Sequence, residues 1–203
     1  MAVALAGPAQ AGTDRGIFGR PALSVQSQPL LARWNDMADR YAVGRAQSLP
    51  SCPTLTDGLG CRLSRWAHIL DLLQGADSFQ MIRQVNAFIN RIPYAGDGDN
   101  YHQDDYWASP YEFMEFGGDC EDYAIAKYLS LRVLGFSSDD LRIVLVDDTR
   151  TRLPHAVLVV FAAGQAWMLD SLSDSVLDAS TIGYYIPMFS FNEEQTWLHL
   201  GSQ

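Results

Sequence analysis

The chain has 203 residues, 48% of them hydrophobic, and sets 14 Lys and Arg against 24 Asp and Glu for a formal charge of −10. That length and apolar content support one domain with a real core, and speak against an array of repeats or extended disorder. The negative balance disfavours nonspecific attraction to nucleic acid or to an anionic membrane.

The opening "MAVALAGPAQAGTDRG" does not read as folded protein. Its apolar run ends in "AQA", the small-residue spacing of a secretory cleavage site, yet it lacks a cationic leader. Residues 1–15 are therefore expected to be a residual export signal or a disordered terminus, and residues 16–203 a single domain. No later run resembles a transmembrane span. Cys52 and Cys61 flank the turn-rich "PTLTDGLG", while Cys120 stands apart. A Cys52–Cys61 bridge in an oxidising compartment would add roughly 2.5–3 kcal/mol by loop closure and leave Cys120 free; two inert thiols are the alternative.

In chain order, residues 24–44 show a one-face helical pattern through Leu30, Leu31, Trp34, Met37 and Tyr41, interrupted near its start by Pro29. A second helix is expected over 62–74, ending at Gly75. Asp77 caps a third, with Gln80 at the reciprocal position and Phe79, Ile82, Val85 and Ile89 on its apolar face. The stretch "AGDGDNYHQDD" reads as an exposed acidic loop: Asp97, Asp99, Asp104 and Asp105 invite a calcium proposal, but the twelve-position calcium-loop pattern is absent. "SPYE" then supplies Ser109 as cap, Pro110 in the first turn and Glu112 as reciprocal cap of a short helix ending at Gly117 and Gly118.

Those glycines permit a sharp change of direction before "DCEDYAIAKYLSLRVLG", a largely apolar helix with Cys120 at its start. The positive end of a helix favours thiolate over thiol, the form able to attack a carbonyl, although a buried structural cysteine fits the same local pattern. Downstream, "LRIVLVDD", "HAVLVVFAA" and "QAWMLDS" read as antiparallel strands, the last two joined at Ala163-Gly164. His155 shares a face with Val157 and Val159, and Asp170 shares one with Met168 and Ala166. An imidazole at 155 can take the thiol proton and return it to a departing amine, while Asp170 orients its other nitrogen. Asp174 is a lesser rival, set beyond the apolar segment.

The ordered blocks "DDYWASPYEFMEFGGDCEDYAIAKY", "PHAVLVV" and "WMLDS" resemble the bacterial transglutaminase-like cysteine proteinase family. The resemblance spans most of residues 24–200. It implies an α+β, papain-like and transglutaminase-like core, with N-terminal helices on an antiparallel sheet and a triad of Cys120, His155 and Asp170. It also implies calcium, with Asp119, Glu121 and Asp122 as candidate ligands. Helical turning of about 100° per residue is expected to carry Glu121 and Asp122 away from the direction of Cys120, and capping of the helix by the same carboxylates is the competing role. Hard oxygen donors suit calcium better than zinc.

Hydrolysis and transfer to an amine share one acyl-enzyme step, and the residues alone do not choose between them. The resemblance implies water as acceptor and a periplasmic endopeptidase. Its substrate would be the N-terminal region of a large surface adhesin, cut between adjacent alanines to release cells from a biofilm. Its inhibitor would be the periplasmic domain of an inner-membrane cyclic-di-GMP receptor. The Cys120 N–H is a candidate oxyanion donor, joined by Tyr106 or Trp107. Two further readings stay open: an inactive papain-like module that binds adhesin, and a transglutaminase-type acyl transferase. Trp34, Trp66, Trp107 and Trp197 are expected in the core or the cleft wall.

Overall fold

The computed structural model describes residues 15–46 and 59–201. The expected signal or disordered terminus and Cys52 lie outside these residues. Among these residues six α-helices and seven strands follow one another as β1 (Ala22–Val25), α1 (Gln28–Arg45), α2 (Leu59–Leu72), α3 (Ser78–Ile89), α4 (Asp97–Asn100), α5 (Pro110–Phe116), α6 (Cys120–Val133), β2 (Leu141–Asp148), β3 (Leu153–Ala162), β4 (Gln165–Asp170), β5 (Ser173–Asp178), β6 (Tyr185–Phe191) and β7 (Thr196–His199). The strands form a single antiparallel sheet ordered β1-β7-β6-β2-β3-β4-β5. This is the α+β architecture anticipated from the sequence, with helices gathered ahead of an antiparallel sheet.

Local chemistry sets the helix starts. The Asp77 carboxylate accepts from the Gln80 N–H at 2.9 Å, satisfying a donor that the first turn leaves free. At α5, Ser109 and Glu112 form a reciprocal capping box with Pro110 just inside it. Pro29 plays that same starting role for α1, so the residues ahead of it are free to extend as β1. The expected helix over 24–44 is thus a strand followed by a helix.

Continuous apolar runs in the central strands follow from burial on both faces. Ile143, Leu158, Val160 and Leu169 meet the helices, while Val144, Val157, Val159 and Met168 join a second cluster with Ile17, Ile182 and Tyr185. Helix α6 is enclosed on every side, each residue from Asp122 to Leu131 being buried. Trp34, Trp66, Trp107 and Trp197 are all core residues, between 4% and 5% exposed. Among the described residues no helix is long and apolar enough to cross a membrane.

Candidate active site

Two glycines deliver the start of α6 to its place. Gly117 adopts φ 80°, ψ −167°, a region that is essentially glycine-only, and a Cβ there would lie 2.3 Å from the Pro93 carbonyl oxygen. At Gly118 a Cβ would collide with the Asp122 carboxylate at 2.2 Å. This close approach lets Tyr94 bridge to Gly118, and the Ala95 N–H donate to the Gly118 oxygen at 3.0 Å. The segment beginning at Pro93 is thereby laid against the start of α6.

Cys120 is the first residue of α6 and a free thiol, while Cys61 is disulfide-bonded. The Cys120 sulfur faces the backbone N–H of Ala156, the residue after His155. Pairing of β3 with β4 begins only at Leu158, so the strand is open there toward the helix start. His155 Nε2 and Asp170 Oδ1 are 2.8 Å apart. Because an ionised carboxylate can only accept, Nε2 is the ring nitrogen that donates to Asp170. Asp170 sits at a register shift in β4, where the backbone irregularity re-aims its side chain. Burial alone would raise its carboxyl, but hydrogen bonds from His155, the Leu172 N–H and the Tyr185 hydroxyl outweigh that and hold it below the usual range. Asp174, the rival acid, instead accepts from Asn90 at 3.1 Å.

The acidic residues depart from expectation in two respects. Glu121 does not turn away: its flexible side chain reaches back, and the Cys120 thiol donates to Oε2 at 3.0 Å. Burial, then Glu121 and Asp119, push the Cys120 thiol well above its ordinary value, opposite to the direction expected from its place at a helix start. The loop at 95–105 is also not simply solvated. Asp97 is only 4% exposed, and its Oδ2 accepts from the Tyr106 N–H at 2.6 Å.

Ligand atoms of Asp97, Asp119 and Asp122 lie within 4.8 Å of one another, as do those of Asp97, Asp105 and Glu121. Asp122 is fully buried and already accepts from Ala108 N at 2.7 Å and Asp119 N at 3.1 Å. Asp97 Oδ1 and Asp119 Oδ1, by contrast, are buried without a hydrogen-bond donor among the described residues. Burial followed by Glu121, Asp122 and Asp97 pushes the Asp119 carboxyl up to about 9. Crowded carboxylates with orphaned oxygens are the donor set of a hard cation, and the residues present fit one. The acidic run around Asp97 was the local signal of this, but its sequence showed neither the burial of Asp97 nor its meeting with Asp119, Glu121 and Asp122. Both side-chain oxyanion candidates donate to carboxylates: Tyr106 to Glu112 at 2.7 Å, and Trp107 to Asp105.

The family model described as bacterial transglutaminase-like cysteine proteinase BTLCP matches residues 60–203. Three solved structures of Legionella pneumophila LapG are similar, each at 32% identity with a TM-score of 0.64. The calcium-bound form covers 81% of this chain and 86% of its own. A second LapG structure covers 80% and 85%, and the EGTA-treated form 80% and 84%. No curated protein matches the sequence. With the match running through the helix start and both strands that carry the site, the chain belongs to the bacterial transglutaminase-like cysteine proteinase family.

Proposed function

We propose that the protein is a calcium-dependent cysteine endopeptidase of the periplasm, built as one domain over residues 16–203, that cuts the N-terminal region of a large surface adhesin and so promotes detachment from a biofilm. The observation that carries this reading is the constellation itself. A free thiol begins a buried helix, its sulfur lies against the amide following His155, and His155 is tied to a buried, ionised Asp170.

In that reading His155 Nδ1 takes the Cys120 proton and the sulfur attacks the scissile carbonyl carbon. The tetrahedral oxyanion collapses as His155 protonates the departing amine, leaving a thioester that water hydrolyses. Asp170 keeps its own charge throughout and stabilises the imidazolium by the 2.8 Å bond. Asp119, Glu121 and Asp122, joined by Asp97, would hold calcium, which supplies positive charge beside the thiol and fixes the helix start. Support for the ion comes from the two orphaned carboxylate oxygens and from the similarity to a calcium-bound LapG. The adhesin, the adjacent-alanine site and the receptor-borne inhibitor are carried over from the family resemblance.

The test is digestion of N-terminal adhesin fragments with calcium and a reductant present, read by intact mass. One internal cut in a small-residue segment is expected. It should disappear with Cys120→Ala, nearly disappear with His155→Ala, and persist weakly with Asp170→Asn. Products extended by an added amine would favour an acyl transferase. Binding of every fragment without any mass change, in the absence of an inhibitory partner, would favour a recognition module.

A further inference from the structure

Asp170 receives three hydrogen bonds, unevenly shared. Oδ1 accepts both from His155 Nε2 at 2.8 Å and from the Leu172 N–H at 3.0 Å, whereas among the described residues only the Tyr185 hydroxyl reaches Oδ2, at 2.6 Å. Tyr185 opens β6, opposite Asp148 on β2. Its ring is buried in the second core cluster, 5.6 Å from the His155 ring and 4.6 Å from Tyr184.

The hydroxyl is in turn oriented from behind. Arg150 Nη2 donates to the Tyr185 oxygen at 3.2 Å, so the phenolic proton is left for Asp170. Arg150 is itself gripped by Asp148, with Nε to Oδ1 at 2.9 Å and Nη2 to Oδ2 at 2.8 Å, and it stacks over Tyr184 at 3.7 Å. The guanidinium holds Asp148 down to about 2. Arg150 thus serves Asp148 and the Tyr185 oxygen together, and the phenolic proton is directed to Asp170.

Building on the protease reading above, we propose that Tyr185 is a positioning residue for the triad, its hydroxyl pinning Oδ2 of Asp170 so that Oδ1 stays aimed at His155. The torsion about an aspartate Cβ–Cγ bond is soft and roughly two-fold. With one oxygen unclaimed, the carboxylate can rotate and exchange its oxygens, and the imidazole loses its fixed orientation. A buried tyrosine that merely fills space would be matched by phenylalanine. The chain of donors gives the hydroxyl a separate task.

Tyr185→Phe keeps the ring and removes only the bond. In calcium-loaded protein, kcat for cleavage of an N-terminal adhesin fragment should fall roughly 10- to 100-fold, the scale of a lost bond to a charged group, with KM unchanged. Alkylation of Cys120 by iodoacetamide should slow as well, and the ¹H and ¹⁵N resonances of His155 Nε2–H should move while the melting temperature holds. In an Asp170→Asn background the same substitution should cost nothing further, because its target has already been altered. An unchanged kcat and alkylation rate, or an equal loss in the Asp170→Asn background, would overturn the proposal. Should the variant fail to fold, the wild-type spectrum decides: a Tyr185 hydroxyl proton in slow exchange is expected, and its absence defeats the assignment. Failure of the protease reading looks different, since Cys120→Ala would then cut as well as the wild type, or the wild type would neither cut nor be alkylated.

Discussion

Lys127 offers a quantitative test of how α6 is packed. It is 1% exposed and forms no ion pair among the described residues. Burial pulls its ammonium from 10.5 down to about 7, against the attraction of Asp170 and Asp174. Between those two values the unfolded chain holds a proton on this side chain that the folded chain has released, so its contribution to stability rises with pH across that window and is flat below it. The full separation corresponds to a cost of about 4–5 kcal/mol near pH 6, shrinking to roughly 1 kcal/mol near pH 10. Lys127→Met, which keeps the stem and removes the charge, should therefore stabilise the protein by a few kcal/mol in mild acid and much less in base. Urea unfolding of both proteins across that range, in chelator so that linked calcium does not enter, measures the difference directly. A stability gain that stays constant with pH would refute the reasoning, because packing changes alone carry no such slope.

Three other outcomes are expected. Asp97→Asn should weaken calcium binding about tenfold or more in titration calorimetry, since one charged ligand with an unshared oxygen is lost; an unchanged isotherm removes Asp97 from the ligand set. Gly117→Ala should cost about 1–3 kcal/mol in unfolding measurements through its backbone region, and should also lower calcium affinity by prying the Pro93 segment from the helix; wild-type stability would show that the turn relaxes freely. Nonreducing peptide mapping of exported protein should find Cys61 bridged to Cys52 and Cys120 alkylatable, whereas Cys120 recovered in a bridge would contradict a nucleophilic role.

What the sequence made legible was largely local. Asp77, Ser109 and Glu112 cap within three or four positions, so their chemistry is written beside them. Strand β2 was found at its observed bounds, and β3 and β4 nearly so, because their apolar runs end at polar turns. Cys120, His155 and Asp170 were nominated by residue type and order, and the fold brings His155 to Asp170 and the Cys120 sulfur to the next amide along β3. Tyr185 and β1 were missed, and Asp97 was read as part of an exposed acidic loop, for a common reason. Each acquires its role from a partner distant in the chain: Tyr185 from Asp170, Asp97 from α6, and β1 from β7. Glu121 was misread because turning angles describe Cβ directions, while a glutamate has enough reach to come back to the sulfur.

The pairing of β1 with β7 has a mechanical side. Ala22 lies opposite His199 and Val25 opposite Thr196, so the polypeptide enters β1 and leaves β7 from the same end of the ladder. Tension applied through the two flanking stretches would open this ladder like a zipper, one rung at a time, instead of shearing all rungs together. The strands bearing His155 and Asp170 sit several positions across the sheet from that edge. A pulled molecule would thus shed its outermost strand at low force while the His155–Asp170 pair stays assembled, making the far edge a sacrificial seam.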